Sequence, residues 1–330
     1  MATLPRPGCR RALTAATAAL ALLGLVLWFV QPGRPPAPRG RVTMATGLPT
    51  GVYARYGELL KDDLARDLPG VDVRLQRSEG SLDNLRQLAS GRASFTIATA
   101  DAVAAYQDRR EPGADRLRAC ARLYDDYMQL VVPRGSAVRS AADLRGLRVG
   151  VGADGSGVQL ITRRLMLAAG LDFDRDIVPV RVGIDRMPEM LEHHELDAFF
   201  WSGGLPTTAV QRLARRFPVQ LVQLGDLIPA LHRQGAPTRY YRAAVMPADA
   251  YPLVQNGQTV KTIAVANLLV TTDREDAALT FGITRTVIDS RDAIGHVVHA
   301  AQNVDLRTAV FTDPLPLHRG ARNYYVSVKQ

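Results

Sequence analysis

MATGLPTGVYARYG, residues 44–57, joins two different patterns. Before its first glycine the run Arg41-Val42-Thr43-Met44-Ala45-Thr46 is β-like and stops at Gly47. Gly51 follows, and from there Val52, Tyr56, Leu59, Leu60, Leu64 and Leu68 recur at helical spacing until Pro69-Gly70 ends the run. A glycine turn leading from a strand into a helix presents backbone N–H groups at the positive end of the helix dipole, where anions bind. No Gly-Lys-Ser/Thr follows, so the turn is not a nucleotide phosphate loop.

The same alternation continues along the chain. Val71-Asp72-Val73-Arg74-Leu75 alternates as a strand, Ser81 stands as the cap of a helix over about 82–90 closed by Gly91, and Phe95 to Ala98 is the next strand. Asp101 is placed to cap a short helix containing Tyr106, and Leu117 to Pro133 is expected to begin as a helix remnant and end as a strand. After the connector RGSAVRSAADLRG the pattern repeats: strand Leu147 to Val151, glycines at 152, 155 and 157, then a helix through Leu167 to Gly170. Strands at 177–182 and 197–201 flank a helix at 187–195, and Ile263 to Val270 is a continuous apolar run of the kind a buried strand shows. A helix over about 274–289 follows, and the segment 313–318 is irregular and proline-rich. Strands alternating with helices in two similar halves predict an α/β protein of two domains, with any ligand beyond the carboxyl ends of the strands.

The chain has 330 residues, 47% hydrophobic, 22% charged and 6% aromatic, which is globular and poor in base-stacking surface. Its formal charge of +9 is concentrated at the N-terminus: residues 1–41 hold six arginines and no acid, leaving 35 basic against 32 acidic residues elsewhere. No basic block remains there, so no nucleic-acid partner is expected. Arg10-Arg11 precedes nineteen uncharged residues, Ala12 to Val30, with Trp28 near their end and the proline-rich stretch QPGRPPAPRG after them. No small-residue cleavage site is evident, which favours a membrane anchor through 12–30 over a cleaved signal peptide, with 31–41 as tether and the rest extracytoplasmic. Cys9 lies on the other side of that segment from Cys120, so Cys120 is expected to be a buried thiol without a disulfide.

Catalytic patterns are missing. Gly150-Val151-Gly152-Ala153-Asp154-Gly155 fits G-x-G-x-x-G between a strand and a helix. It is short and mid-chain, and an exported protein has little access to a dinucleotide, so a close turn or an anion site at Gly155-Ser156-Gly157 is the preferred reading. His193-His194-Glu195 lacks the spacing of a zinc pair, no nucleophile elbow occurs, and Asp125 and Asp126 would point to opposite faces of a strand. Neither an enzyme, a metal nor a cofactor is expected.

Six segments in order make the chain resemble the TAXI-type solute receptors of tripartite ATP-independent periplasmic (TRAP) transport systems: ATG--TGVY-RYG at 45–57, GSLDNLRQLASGRASFTIATAD at 80–101, LRGLRVGVGADGSG at 144–157, LDAFFWSGGLPTTAV at 196–210, TIAVANLLVTT at 262–272 and DPLPLHRGARNYY at 313–325. The resemblance implies a type II periplasmic-binding-protein fold: two α/β lobes, a hinge and a ligand cleft. Lobe I would comprise 42–132 and about 240–330, and lobe II 133–239. It implies a non-enzymatic receptor that captures a small carboxylate or amino acid, glutamate-like or dicarboxylate, and delivers it to TRAP membrane permease subunits. An anchored sensory domain acting on a signalling partner is the alternative. The implied ligand contacts are Thr46, Gly47, Thr50, Gly51, Val52 and Tyr53 at the first turn, Gly155, Ser156, Gly157 and Val158 at the second, Thr99 and Asp101 for an amino or hydroxyl group, Phe200 and Trp201 as cleft floor, and Ser81 and Gly204 besides. The family usually has a further glycine pair where this chain has Leu48-Pro49. Pro49 has no N–H and Leu48 adds bulk, so the ligand preference is expected to shift there.

Overall fold

The computed structural model describes residues 38–298, 301–302 and 304–329. The anchor and tether expected over 1–41 therefore lie almost wholly outside the described residues, and among the described residues no helix is long and apolar enough to cross a membrane.

Ten strands form one mixed sheet, and its order explains the two halves. The strands are β1 (Gly40–Ala45), β2 (Val71–Gln76), β3 (Phe95–Thr99), β4 (Leu117–Pro133), β5 (Arg148–Gly150), β6 (Val178–Val180), β7 (Ala198–Gly203), β8 (Val219–Val222), β9 (Tyr241–Met246) and β10 (Val260–Thr272). They are ordered β2-β1-β3-β10-β4-β7-β5-β6, with β8 and β9 pairing onto β4 and β10. In the first half β1 lies parallel between β2 and β3; in the second β5 lies parallel between β6 and β7. The opening strand of each half is thus central, with its successors on opposite sides. That reversal opens a crevice at the carboxyl end of the central strand, where such sheets bind ligands. The long antiparallel pair β4 and β10 joins the halves.

Helices α1 (Val52–Asp67), α2 (Ser81–Ala89), α3 (Ala100–Asp108) and α4 (Gly157–Ala168) follow β1, β2, β3 and β5. Later come α5 (Met187–Glu192), α6 (Thr208–Ala214), α7 (Ile228–His232), α8 (Pro252–Gln255) and α9 (Ala277–Asp289), with α10 (Arg291–Gly295), α11 (Leu306–Ala309) and α12 (Arg319–Ser327) at the end. On one face of the first half, Val42 and Met44 of β1 pack with Tyr56, Leu60 and Leu64 of α1 and with Ile283, Val287 and Tyr324 of α9 and α12. On the other, Leu85 and Leu88 of α2 meet Val103 and Tyr106 of α3. The core of the second half runs from Met128 through Val149, Ile161 and Phe199 to Tyr241, Tyr251, Ile263 and Val265. Cys120 is buried, as its sequence context implied, and Cys9 lies outside the described residues.

Three local expectations are corrected. Leu117–Pro133 is a single strand with no helical start; it is covered on both faces, so it lacks the alternation that would have shown it as β. Ser81 is the first residue of α2 and Gly80 its cap, which turns the serine side chain inward instead of along the helix end. Asp101 likewise sits inside the first turn of α3, after the cap residue Thr99.

Candidate functional site

The turn at 46–51 is built by its glycines. Gly47 adopts φ +75°, a region that favours glycine, and its N–H donates to Ser78 Oγ at 2.9 Å while its carbonyl accepts from the Ser78 N–H at 3.2 Å. The Gly51 N–H donates to the Leu48 carbonyl at 2.9 Å. Both glycine N–H groups, expected at the ligand, are therefore used within the protein. The helix behind them is different: α1 has Gly51 as cap with no side-chain cap bond, so its first turn keeps N–H groups without partners.

The second turn works the same way. Gly152 and Gly155 have φ +89° and +80°, and α4 starts at Gly157 with Ser156 as cap, its Oγ accepting from the Gln159 N–H at 3.0 Å. Between the two turns stands the start of α2. The N–H of Asp83 in its first turn donates to the Gly155 carbonyl at 3.2 Å, a bond from the first half to the second. A Cβ on Gly157 would lie 3.1 Å from Ser81 Oγ, so only a glycine fits there without displacing that hydroxyl.

These segments line a cavity of about 60 Å³. Of the ligand contacts that the resemblance implied, Thr46, Gly47, Gly51, Val52, Tyr53, Ser81, Thr99, Ser156, Gly157, Val158 and Trp201 are among its lining residues. Strand alternation brings Trp201 to the cavity, with its Nε1–H on Thr207 Oγ1 at 3.1 Å, and sends Phe200 into the core of the second half.

Five expected contacts are not among the lining residues. Phe200 is core; Thr50 is exposed, as is Pro49 beside it. Gly155 offers its carbonyl to α2, and Gly204 gives its carbonyl to Thr207 Oγ1 at 3.0 Å. Asp101 is engaged elsewhere: Tyr241 Oη donates to its Oδ2 at 2.6 Å, and Arg164 Nη1 lies 3.4 Å from the same oxygen and 2.7 Å from Tyr241 Oη. This buried ion pair ties α3 of the first half to α4 of the second. Leu48 does line the cavity and makes a third link between halves, since a Cβ on Gly183 would lie 2.3 Å from Leu48 Cδ1.

What the sequence did not reveal is Asp126. Its carboxylate lines the cavity, is 3% exposed, and its Oδ1 has no hydrogen-bond partner. Asp125, on the other face of β4, pairs with Arg122 and Arg242, as alternation requires. A β-bulge shapes this floor: between the Ala266–Asp125 and Leu268–Arg122 pairs, Leu123 and Tyr124 of β4 oppose the single Asn267 of β10. Asn267 Oδ1 accepts from Tyr53 Oη, while Asn267 Nδ2 and Tyr124 Oη have no partners. Burial pushes the Asp126 carboxyl up to about 7; the neighbouring Asn267 amide opposes the rise, and the charges of Asp125 and Asp101 add to it. Burial, and then the Asp126 charge, also hold the Tyr53 and Tyr124 phenols well above their usual range. The remaining lining residues that sequence reasoning left out are Glu79, Gly80, Gly152, Ala153, Gly183, Ser202 and Gly203. No arginine or lysine is among the lining residues.

A sheet of two reversed parallel halves crossed by two long strands, with a cavity at the carboxyl ends of both central strands, is the type II periplasmic-binding-protein fold. Residues 44–327 match the NMT1-like family, and the chain belongs to it. Solved structures share the fold. A protein of Bordetella bronchiseptica RB50 is 18% identical, with TM-score 0.51 over 85% of this chain and 84% of that one. The periplasmic aliphatic sulphonate binding protein SsuA from Escherichia coli is 13% identical, with TM-score 0.50 over 88% and 83%. A putative L-cystine ABC transporter from Listeria monocytogenes is 13% identical, with TM-score 0.50 over 80% and 98%.

Proposed function

We propose that this protein is an extracytoplasmic solute-binding receptor that closes its two halves around a small carboxylate or amino acid and presents it to a membrane permease. The observation that carries this reading is the cavity itself, small, enclosed by both halves and bounded by the starts of α1, α2 and α4. N–H groups and dipole ends from three helices supply the attraction for a carboxylate that no lining arginine or lysine provides. In this reading β4 and β10 are the hinge, 42–132 with the chain after β10 forms one lobe and the chain between them the other; the return expected at about 240 is placed later because Tyr241, Tyr251 and Val254 pack in the core of the second half. A ligand that touches both lobes favours the closed arrangement by its differential contacts. The six motifs quoted above support a TAXI-type receptor serving a TRAP permease, with residues 12–30 as the tether to the membrane.

The test is a titration of the full-length protein in mild detergent with amino acids, mono- and dicarboxylates and small amines, followed by melting temperature and tryptophan emission. A ligand at a hundred times its dissociation constant adds about 2.7 kcal/mol. Trp201 lines the cavity and Trp28 is the only other tryptophan, so the ligand-dependent change in emission is expected to vanish in Trp201→Phe. Silence from every probe would refute the receptor reading.

A further inference from the structure

We propose that Asp126 is the specificity-determining residue of this cleft and that the solute carries a protonated nitrogen, making it a small zwitterion of the amino-acid type and not a nitrogen-free mono- or dicarboxylate. The inference rests on the cleft being the solute site.

The charge of the cavity points this way first. Its lining holds two carboxylates, Glu79 and Asp126, and neither arginine nor lysine. A dicarboxylate would bring two more negative charges to that wall, with backbone N–H groups alone to offset them. The second observation is the state of Asp126. A side chain 3% exposed whose Oδ1 has no hydrogen bond is a rare arrangement, because a buried carboxylate is retained only where something compensates it. The neighbouring acids are already compensated within the protein, Asp101 by Arg164 and Tyr241, and Asp125 by Arg122 and Arg242. The Asn267 amide beside Asp126 is the offset the protein itself provides, and it leaves the carboxyl raised. What Asp126 lacks is a cation, and an ammonium arriving in the cavity supplies both donor and charge. The helix starts of α1, α2 and α4 present the opposite polarity in the same cavity. The site therefore has one pole for each end of a zwitterion.

Proton release follows. Burial raises the Asp126 carboxyl to about 7, so near neutral pH both protonated and ionised forms are present without ligand. An ammonium binds the ionised form, and the displaced proton leaves to solvent. The titratable groups around Asp126 are Tyr53 from α1, Tyr124 and Asp125 from β4, Asp101 from α3 and Glu79 from the loop before α2. Both phenols are held protonated by burial.

The experiment is isothermal titration calorimetry of the full-length protein at pH 5, 6, 7 and 8 in two buffers of different ionisation heat. The probes are glycine, L-alanine, L-serine and L-glutamate, the nitrogen-free acids propionate and succinate, and isopropylamine. An amino acid is expected to bind best, with propionate and succinate at least 100-fold weaker. A fraction of a proton should be released per ligand at pH 7, more at pH 5 to 6 and less at pH 8, and affinity should fall about 100-fold from pH 8 to pH 5. Asp126→Asn, checked for unchanged far-UV circular dichroism, should lose at least tenfold in affinity and all of that pH dependence. Propionate or succinate binding as tightly as the best amino acid would overturn the assignment and leave the receptor reading standing. So would a wild-type affinity that is flat from pH 5 to 8, or undiminished binding by Asp126→Asn. Silence from every probe would remove the receptor reading, and this inference with it.

Discussion

Asp126→Asn should change stability as well as binding, and in a way that can be read without any ligand. An aspartate in an unfolded chain titrates at 3.8, and Asp126 in the folded protein at about 7. Between those values the native state holds a proton that the unfolded state does not, so stability falls as pH rises through this window and levels off above it. The sign is that of a group with a raised folded value: its contribution is fully present below the unfolded value and lost as pH climbs through the folded one. From pH 5 to pH 8 the loss amounts to about 2–3 kcal/mol. Asparagine has the same shape and no titration, so the unliganded variant should gain on the wild type by that amount over this range. At about 2–4 °C per kcal/mol for a domain of this size, the gap in melting temperature should widen by about 5–10 °C. The assay is urea and thermal unfolding followed by circular dichroism at each pH, on protein refolded from denaturant to strip ligand. Any constant cost of placing an amide at this position cancels, because only the change of the gap with pH is read. Parallel stability curves for the two proteins would show that Asp126 is not the strained acid described above.

Two further substitutions address the links between the halves. Arg164→Met leaves the Asp101 carboxylate buried with Tyr241 as its only donor, and removing one member of a buried pair costs about 3–5 kcal/mol. Melting temperature should drop by about 6 °C or more; a fall of less than 1 °C would mean that the pair is not formed in solution. Gly183→Ala would place a methyl where Leu48 Cδ1 and Asp185 Oδ1 now lie, so that Leu48 swings within the cavity or the two walls part. It should weaken solute binding at least tenfold with little loss of stability, and an unchanged isotherm would show that the cleft closes less tightly than Leu48 and Gly183 indicate.

The alternation of strands and helices, the two glycine turns and most of the cavity wall could be read from sequence because each depends on local pattern. Gly47 and Gly152 mark backbone that turns through positive φ, and the helical spacing after Gly51 identifies α1 without any tertiary knowledge. Where the reading failed, the cause was tertiary. β4 is covered on one face by α9 and α12 from the far end of the chain and on the other by α2 and α3, which erased its period of two. Asp101 looked like a ligand contact because it closes a strand–helix junction, but Arg164 and Tyr241 reach it from 63 and 140 residues away. Asp126 carries no motif at all. Its signal was limited to the second of two adjacent acids, Asp125-Asp126, in a strand otherwise rich in apolar residues, and only the bulge opposite Asn267 and the packing of Tyr53 turn it into the floor of a cavity.

Asp126 also bears on how closure and binding are coupled. Three links join the halves without any solute: the Asp83–Gly155 backbone bond, the contact of Leu48 with Gly183, and the Asp101–Arg164 pair. By themselves they would favour a closed, empty cleft. Asp126 opposes them, because closing over it removes water from a carboxylate that the protein offsets only in part, through the Asn267 amide. Proteins break their local rules at functional sites, and here the broken rule has a direction. An ammonium on Asp126 removes the penalty in the closed arrangement and does little for an open, hydrated one, so the solute acts on the equilibrium through that difference. Asp126→Asn should then do more than weaken binding. It should shift the empty receptor toward closure, detectable as a smaller radius of gyration in solution scattering, and an unchanged radius at pH 8 would separate recognition from closure.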